Sequence, residues 1–168
     1  GGNGAEASYL ELRRAFEHDL AEVAGRHFTA CNMACGPFGN AYGRDFLAVQ
    51  SMDGRLAVFE QASFAFARTL NDVLVPGPIC YVSKVDSFVT CNSNRTVDCY
   101  KYQQLAAARD QDGANSKDKR KSKAARLVTD WSVNIGEHAV AIFVARFSQS
   151  LGAGGVDIVV VGTHTLFC

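Results

Sequence analysis

Three aspartates stand at equivalent points of a repeated pattern, and they are the first candidates for chemistry in this chain. Asp45, Asp86 and Asp157 each begin a stretch that reads as a β-hairpin. A ring of carboxylates around a central pore would suit calcium binding or hydrolysis. Their equal placement favours a structural role, because aspartate commonly occupies turns, where its side chain bonds to nearby backbone. We therefore predict that they are recurring turn residues before the second strand of each repeat.

Other residues with catalytic potential lack the spacing that catalysis needs. His18 and His164 have the side chain for acid–base work, but each reads as a surface or turn histidine. The sequence contains no G-x-S-x-G nucleophile elbow and no glycine-rich phosphate loop. We predict no enzyme activity, no catalytic, cofactor-binding or metal-binding residue, and no cofactor.

The six cysteines do not form a recognisable metal or disulfide pattern. They are Cys31, Cys35, Cys80, Cys91, Cys99 and Cys168. The one close pair, Cys31 and Cys35, has three residues between its members rather than the two of a C-x-x-C site. Since most of the six fall within apolar stretches, we predict buried free thiols in a reducing compartment.

Charge and hydropathy narrow the possible partners. Seventeen basic and seventeen acidic side chains cancel, so no long-range field favours nucleic acid or an anionic membrane. A basic cluster at 117–123 could be taken for a nucleic-acid signal, but it lies in a run at 109–125 without large apolar side chains. That composition predicts a solvated insertion. No apolar run is long enough to cross a membrane, and the first residues resemble no signal peptide, so we expect an internal piece of a longer protein.

The repeated unit is a β-hairpin. In Asp45–Phe59, two apolar runs flank a Ser-Met-Asp-Gly turn, and Asp-Gly is a strong hairpin signal. The pattern recurs 41 residues later from Asp86, with Asn94 in place of Asp53, and a third time at Asp157, 71 residues further on. An insertion of roughly 30 residues would reconcile that second interval with repeats of about 40 to 45 residues, which are typical of propeller blades.

We therefore predict an all-β fold, a partial β-propeller with about two to three four-stranded blades of a larger ring. A single domain fragment would span 1–168, with one blade at 26–70, a second at 76–135 that carries the insertion 109–125, and an incomplete third at 137–168. Exposure should increase outward from a buried inner strand at Phe28–Cys35. Tyr9–Phe16 could supply the outer strand of a preceding blade.

An incomplete ring leaves blade faces open. Since blades share their stability through these faces, we expect further sequence or a partner chain to cover them.

Several long stretches also carry a specific resemblance. They include Thr29–Met33, Gly36–Gly39, Gly43–Asp45, Gln50–Gly54, Val58–Gln61, Leu74–Pro78, Tyr100–Gln103 and Asn134–Glu137. Together they resemble the N-terminal propeller of the Bardet-Biedl syndrome 9 family, a core subunit of the BBSome coat. The similarity runs from about Phe16 to Cys168 and departs mainly in the loops Arg109–Ala125 and Leu151–Gly155.

The resemblance implies a non-catalytic scaffold that supports ciliary membrane-protein trafficking through protein–protein interactions. It implies other BBSome subunits as partners, and an indirect association with membranes and an Arl-type GTPase through the complex. It also implies location at the cilium, its basal body and the cytoplasm, without nucleic-acid binding. The alternative is a propeller enzyme, or a metal or glycan binder, that uses pore-side aspartates.

Overall fold

The computed structural model describes residues 13–24, 28–71, 76–108, 127–147 and 155–168. Its described part contains three antiparallel sheets. The first consists of β1 (Ala30–Gly36), β2 (Phe46–Ser51), β3 (Arg55–Glu60) and β4 (Ser63–Thr69). The second consists of β5 (Ile79–Val82), β6 (Ser87–Cys91), β7 (Thr96–Lys101) and β8 (Trp131–Asn134). The third consists of β9 (Ala139–Ala145), β10 (Asp157–Gly162) and β11 (Leu166–Phe167).

Short helical segments connect these strands. They are α1 (Leu20–Ala24), α2 (Tyr102–Ala107) and two 3-10 turns at Phe38–Asn40 and Ser83–Val85. Helix α2 directly follows β7, since Lys101 ends the strand and Tyr102 begins the helix. No helix in the described ranges is long and apolar enough to cross a lipid bilayer.

The repeated hairpins form as predicted, and their turns correspond residue by residue. Gly54 adopts a φ of 81° and donates its N–H to the Ser51 carbonyl at 3.0 Å. Arg95, 41 residues later, adopts a φ of 63° and donates to the Asn92 carbonyl at 3.2 Å. Glycine tolerates this left-handed backbone at no steric cost. At Arg95 the Asn92 side chain provides support, because its Oδ1 accepts from the N–H groups of Asn94 and Thr96.

The sheets pack side by side as propeller blades do. In each of them the strands follow the chain order, and the first strands, β1, β5 and β9, contact one another in succession. Apolar side chains on facing sides of neighbouring sheets form two separate cores, one on each side of the second sheet. β6 is buried along its whole length because it lies between both cores. The all-β, partial-propeller prediction is therefore confirmed.

The expected gradient of burial is wrong for the first sheet. β1 was predicted to be its buried inner strand, yet Cys31, Met33 and Cys35 are exposed, with Met33 at 64%. The reason is the two-faced geometry of a strand. Alternate residues, such as Ala34, pack towards the second sheet, while these three point to the face that no other described sheet covers. β8, in contrast, is exposed throughout, as expected of an outer strand.

The described residues before β1 form no strand, although the sequence predicts the outer strand of another blade there. Residues 13–19 are irregular, and the remainder of the predicted strand Tyr9–Phe16 lies outside the described residues. Instead, Ala24 at the end of α1 and the following Phe28 are buried against Ala57, Phe59 and Ala67 of the first sheet. This segment therefore covers the outer part of the sheet's open face, and the exposed side chains of β1 remain beside it.

Strand boundaries differ from prediction mainly beside the insertion. β8, the last strand of the second sheet, covers only Trp131–Asn134 of the residues between the insertion and the end of the predicted blade at 135. The insertion 109–125, with its basic cluster 117–123, lies outside the described residues, as does most of the linker 151–155. The ranges 26–70, 76–135 and 137–168 stay a prediction as domain and blade boundaries.

Candidate interaction surfaces

The three aspartates have different surroundings. Asp86 is 8% exposed, and its Oδ1 accepts hydrogen bonds from the Gly39 N–H at 2.9 Å and the Tyr81 hydroxyl at 2.6 Å. Asp157 accepts the Phe147 N–H at 2.7 Å. Asp45 is exposed in the loop before β2. Each aspartate lies beside the connection between the first and second strands of its sheet, and the hydrogen bonds of Asp86 and Asp157 have different partners.

The described residues contain no group of three or more histidine, cysteine, aspartate or glutamate side chains placed to hold a metal ion. The aspartates are therefore not gathered into a carboxylate ring within that part of the chain. Asp86 instead joins two sheets, because Gly39 follows β1 and Tyr81 belongs to β5. Its backbone φ of 48° is left-handed, a conformation that aspartate and asparagine adopt more readily than most residues.

The environment of Tyr81 reinforces this junction. Burial raises the pKa of the phenol, and the hydrogen bond to Asp86 raises it further. The neutral hydroxyl therefore remains a donor at physiological pH. Gly36 leaves room for the ring, since a Cβ there would lie 2.4 Å from Tyr81 Cδ1. Gly36, the Tyr81 ring and the buried Asp86 carboxylate thus fix the first sheet against the second.

The two histidines considered for acid–base chemistry lie in different parts of the fold, His18 in the irregular segment before α1 and His164 after β10. His18 Nε2 is 2.7 Å from the Ala62 carbonyl oxygen, and its ring packs 5.1 Å from that of Phe59. His164 is exposed in the β10–β11 turn, where its backbone N–H donates to Glu137. Both have local structural contacts, and neither is placed beside the aspartates considered above.

Glu137 accepts hydrogen bonds from the β10–β11 turn and so stabilises it. It accepts hydrogen bonds from the Thr163 hydroxyl at 2.6 Å and the His164 N–H at 2.7 Å. The bonds from Thr163 and Thr165 lower the pKa of this carboxyl to about 2. The segment that enters β9 is therefore tied to the β10–β11 turn, which lies at the same end of the third sheet because Gly162 pairs with Ala139.

The cysteines divide into two groups, and all six are free thiols. Cys91 and Cys99 are buried and Cys80 is half-buried, all in the core between the second and third sheets. Burial raises the pKa of both Cys80 and Cys91 to about 12. The prediction of burial is wrong for Cys31, Cys35 and Cys168, which are exposed. The reducing compartment stays a prediction.

A polar cleft opens between the first two sheets, at the end that carries the second hairpin turn. It has a volume of about 390 Å³, and its lining includes Asn71, Asn92, Asp98 and Ser132. Asp98 is 5% exposed and accepts from Asn92 Nδ2 at 2.6 Å and Ser132 Oγ at 2.5 Å. The Asp98 carboxylate therefore has hydrogen-bond donors within the protein, which indicates that the cleft is lined by a structural polar network.

The ends of the insertion are held by the first sheet. Arg68 of β4 donates from Nε to the Leu105 carbonyl at 2.8 Å and from Nη2 to the Ala106 carbonyl at 3.3 Å, at the end of α2. A cation at a helix C-terminus is favourable. On the far side of the insertion, Asn71 donates to the Leu127 carbonyl at 2.6 Å. The insertion thus leaves and rejoins the fold at positions fixed by a neighbouring sheet.

The third sheet presents an open apolar face. Phe143 is 46% exposed, Leu166 is 58% exposed and Val140 is 66% exposed, all on strands of that sheet. Their partners on the opposite side, including Ile142 and Val160, are buried against the second sheet. The outer sheets therefore each have one covered and one open face, which is the condition of blades at the ends of an incomplete series.

Comparison with known proteins places this fold in a family. The sequence model described as PTHB1 N-terminal matches residues 2–168. The chain belongs to the PTHB1 N-terminal family. Protein PTHB1 from Xenopus laevis, Homo sapiens and Mus musculus is 42% identical to this chain over 168 residues, or 99% of its length. The chain spans 19% of the frog protein and 18% of the human and mouse proteins, about a fifth of these relatives.

A solved structure supports the fold independently. The crystal structure of BBS1N in complex with ARL6DN, soaked with lead, superposes with a TM-score of 0.52 at 13% sequence identity. The similar region covers 82% of this PTHB1-family chain and 33% of that chain. At this identity the likeness concerns the fold alone, and it agrees with the three blade-like sheets.

The family resemblance inferred from short stretches of the sequence is corrected in name and extent. The family that the match establishes is PTHB1, which is also known as the Bardet-Biedl syndrome 9 protein. The family match begins at residue 2, whereas the short stretches of sequence indicated a similarity that begins at about Phe16. These short stretches underestimated the extent of the similarity, because the first residues contain no long distinctive run.

Proposed function

We propose that this chain is part of a non-catalytic scaffold subunit of the BBSome coat and that it supports ciliary membrane-protein trafficking through protein–protein interactions. The observation that carries the proposal is the match to the PTHB1 N-terminal family along residues 2–168. The fold is compatible with this role, since the conserved geometry of a propeller presents loops and faces to several neighbours at once.

The surfaces favour binding over chemistry. Asp86, the most buried of the three repeated aspartates, already bonds to Gly39 and Tyr81. Exposed apolar side chains such as Phe143 and Leu166 lie on an open sheet face, where further protein can pack. Scaffold function needs such faces and loops, whereas catalysis needs converging reactive groups.

The partners proposed are the other BBSome subunits in a hetero-oligomeric complex. Association with membranes and with an Arl-type GTPase would be indirect, through the complex. The solved structure of similar fold contains BBS1N bound to ARL6DN. We place the protein at the cilium, at the ciliary base or basal body, and in the cytoplasm.

Affinity capture of the full-length tagged protein from ciliated cells tests this proposal. We expect the other BBSome subunits to be recovered with it, and Asp45→Ala to leave their recovery unchanged because Asp45 is exposed in a loop. Recovery of folded tagged protein without any BBSome subunit would overturn the proposal.

The alternative, a propeller enzyme or a metal or glycan binder that uses the aspartates, predicts a different result. Metal analysis of the purified full-length protein would then give stoichiometric calcium or zinc, and Asp45→Ala would lower it. The local hydrogen bonds of Asp86 and Asp157 do not favour this alternative.

A further inference from the structure

The polar cleft between the first two sheets contains a buried carboxylate that is not paired with a cation. Asp98 lines this cleft and is 5% exposed. Its donors are all neutral, namely Asn92 Nδ2 at 2.6 Å, Ser132 Oγ at 2.5 Å and Thr96 Oγ1 at 3.3 Å. Among the described residues, no lysine or arginine lines the cleft. Since buried charges in proteins are usually paired, this carboxylate points to a cation from outside the fold.

The cationic side chains at the two ends of β7 have other partners. Lys101, at the end of the strand, lies 3.4 Å from the Asp130 carboxylate. Arg95, in the turn before the strand, donates from Nη1 to the Gly136 carbonyl at 3.3 Å. Neither of them lines the cleft, so the hydrogen-bond network around Asp98 orients its charge without neutralising it.

The cleft retains capacity to accept hydrogen bonds. A carboxylate can accept about four hydrogen bonds, and Asp98 Oδ2 receives only the one from Asn92. Asn71 also lines the cleft and donates from Nδ2 to the Leu127 carbonyl at 2.6 Å. Its Oδ1 accepts no hydrogen bond from the described residues, which leaves a second acceptor oxygen. Several oxygens around one negative charge suit the five N–H groups of a guanidinium.

The size and the walls of the cleft fit an arginine side chain. Its volume of about 390 Å³ exceeds the lower end of the range for small-ligand sites, about 300 Å³. Leu127 and Val128 give it an apolar wall, and Val128 is 65% exposed. The methylene stem of an arginine packs on such a wall while its charged head reaches a carboxylate. Lysine carries a compact point charge and lacks the planar fork that would use several acceptors.

We propose that this cleft, the Asp98 cleft (Asn71, Asp98, Leu127, Val128 and Thr129), binds the side chain of an arginine that a partner protein presents. The guanidinium would donate to Asp98 and Asn71, and the stem would lie against Val128. A free divalent cation is a poorer occupant, because calcium takes six to eight oxygen ligands and the described lining offers one carboxylate. The proposal deepens the scaffold role proposed above and rests on it.

Binding of single amino-acid amides to the full-length protein tests the cleft. The probes are the Nα-acetyl amides of arginine, lysine and citrulline, the last of which has nearly the shape of arginine but no charge. We expect saturation-transfer difference NMR to show arginine binding at least about tenfold more tightly than citrulline, with lysine between them. Equal binding of arginine and citrulline would overturn the proposal.

Two variants test the cleft in independent ways. Asp98→Asn keeps the shape but removes the charge, and should weaken arginine binding by at least about tenfold. Thr129→Arg places a guanidinium on the wall of the cleft, and should abolish binding by occupying it. The matched control is Thr69→Arg, which adds the same group at an exposed position of β4 outside the lining and should bind as the unaltered protein does. Unchanged binding by Thr129→Arg would overturn the proposal.

Further measurements identify the occupant. A variant that lacks residues 112–123 and carries Arg126→Gln should bind arginine amide as before. A tenfold gain in its affinity would show that the basic residues of this chain fill the cleft, and would overturn the proposal. Calcium that displaces the arginine probe would make the cleft a metal site and overturn it too.

Affinity capture separates the cleft from the scaffold role. Thr129→Arg should lower the recovery of one or more BBSome subunits, whereas Thr69→Arg should leave it unchanged. Full recovery with Thr129→Arg would contradict the proposed arginine contact and leave the scaffold role standing. Loss of all BBSome subunits from the unaltered protein, with arginine amide still bound, would contradict the scaffold role.

Discussion

The two interfaces of the second sheet differ in chemistry. Towards the first sheet, the core is rich in aromatic rings, among them Phe38, Phe88 and Tyr100, and is completed by the Asp86 junction. Towards the third sheet, it is made of small aliphatic side chains and thiols, such as Val89, Val97 and Cys99. Rings and directional hydrogen bonds define a fixed relative position, whereas small aliphatic groups contribute mainly area. The first interface therefore fixes the relative position of the first two sheets, whereas the second interface stabilises the fold mainly through the apolar area that it buries.

The largest expected effect is at the aromatic interface. Phe38→Ala should lower local stability by about 3 to 5 kcal/mol, because it removes a fully buried ring that contacts several others. Hydrogen exchange of peptides from β2 and β6 in the full-length protein would measure the loss. Tyr42→Ala, an aromatic truncation in the same loop, should leave that exchange nearly unchanged because Tyr42 is exposed. Similar protection in both variants would show that the rings do not hold the interface.

A smaller effect is expected at the Asp86 junction. Asp86→Ala removes the acceptor of the Gly39 N–H and leaves the Tyr81 hydroxyl with the Pro37 carbonyl at 3.3 Å, which should cost about 1 to 3 kcal/mol. Asp86→Asn retains an acceptor oxygen and tolerates the left-handed backbone, so it should cost less. Urea unfolding of the two variants compares them. If asparagine were as damaging as alanine, the charge would matter more than the hydrogen-bond geometry.

The packing of the aliphatic interface, between the second and third sheets, can be tested by how slowly its cysteine thiols react. Cys91 should react slowly with maleimide at pH 8, because it is buried and burial raises its pKa to about 12, whereas exposed Cys168 should react quickly. Mass spectrometry of the labelled full-length protein would locate the modified residues. Protection of Cys31 and Cys35 as well would show that other parts of the protein cover the open face of the first sheet. Rapid labelling of Cys91 would contradict a tightly packed interface.

The smallest effect concerns the last turn of the third sheet. The pKa of Glu137 in the folded protein is lowered to about 2 from an ordinary value of 4.5. Its contribution to stability is therefore present above pH 4.5 and is lost as the pH falls towards 2. Amide protection factors in the β10–β11 turn, which correct for the intrinsic pH dependence of exchange, should fall over that range and stay unchanged in Glu137→Gln. The same pH response in the variant would assign the effect to another group.

Much of the fold was predictable because it depends on local rules. The Asp53-Gly54 turn fixes a hairpin through backbone conformation, and the continuous apolar run at 56–59 marks β3 as a strand buried on both faces. The sequence interval between Asp45 and Asp86 then revealed the repeat. The turn at Arg95 was recognisable only by its position in that repeat, since arginine itself gives no turn signal.

The candidate surfaces were less predictable. Nothing in the sequence distinguishes the environment of Tyr42 from that of Tyr81, yet Tyr42 is exposed whereas Tyr81 is half-buried and bonded to Asp86. Exposure of Cys31 and Cys35 likewise depends on which side of β1 has a neighbouring sheet. Arg68 could not be matched with α2 from sequence spacing, because Arg68 lies in the first sheet whereas α2 follows β7 of the second.

By itself, the sequence of this chain determined its β-hairpins, their repeat and the family resemblance, since backbone turn preferences and side-chain alternation act over a few residues. The tertiary structure decided which aspartate bonds to Tyr81, which thiols are buried and which loop presents a tyrosine to solvent. Those outcomes depend on contacts between residues that are distant in the chain, and only the packing of one sheet on the next brings such residues together.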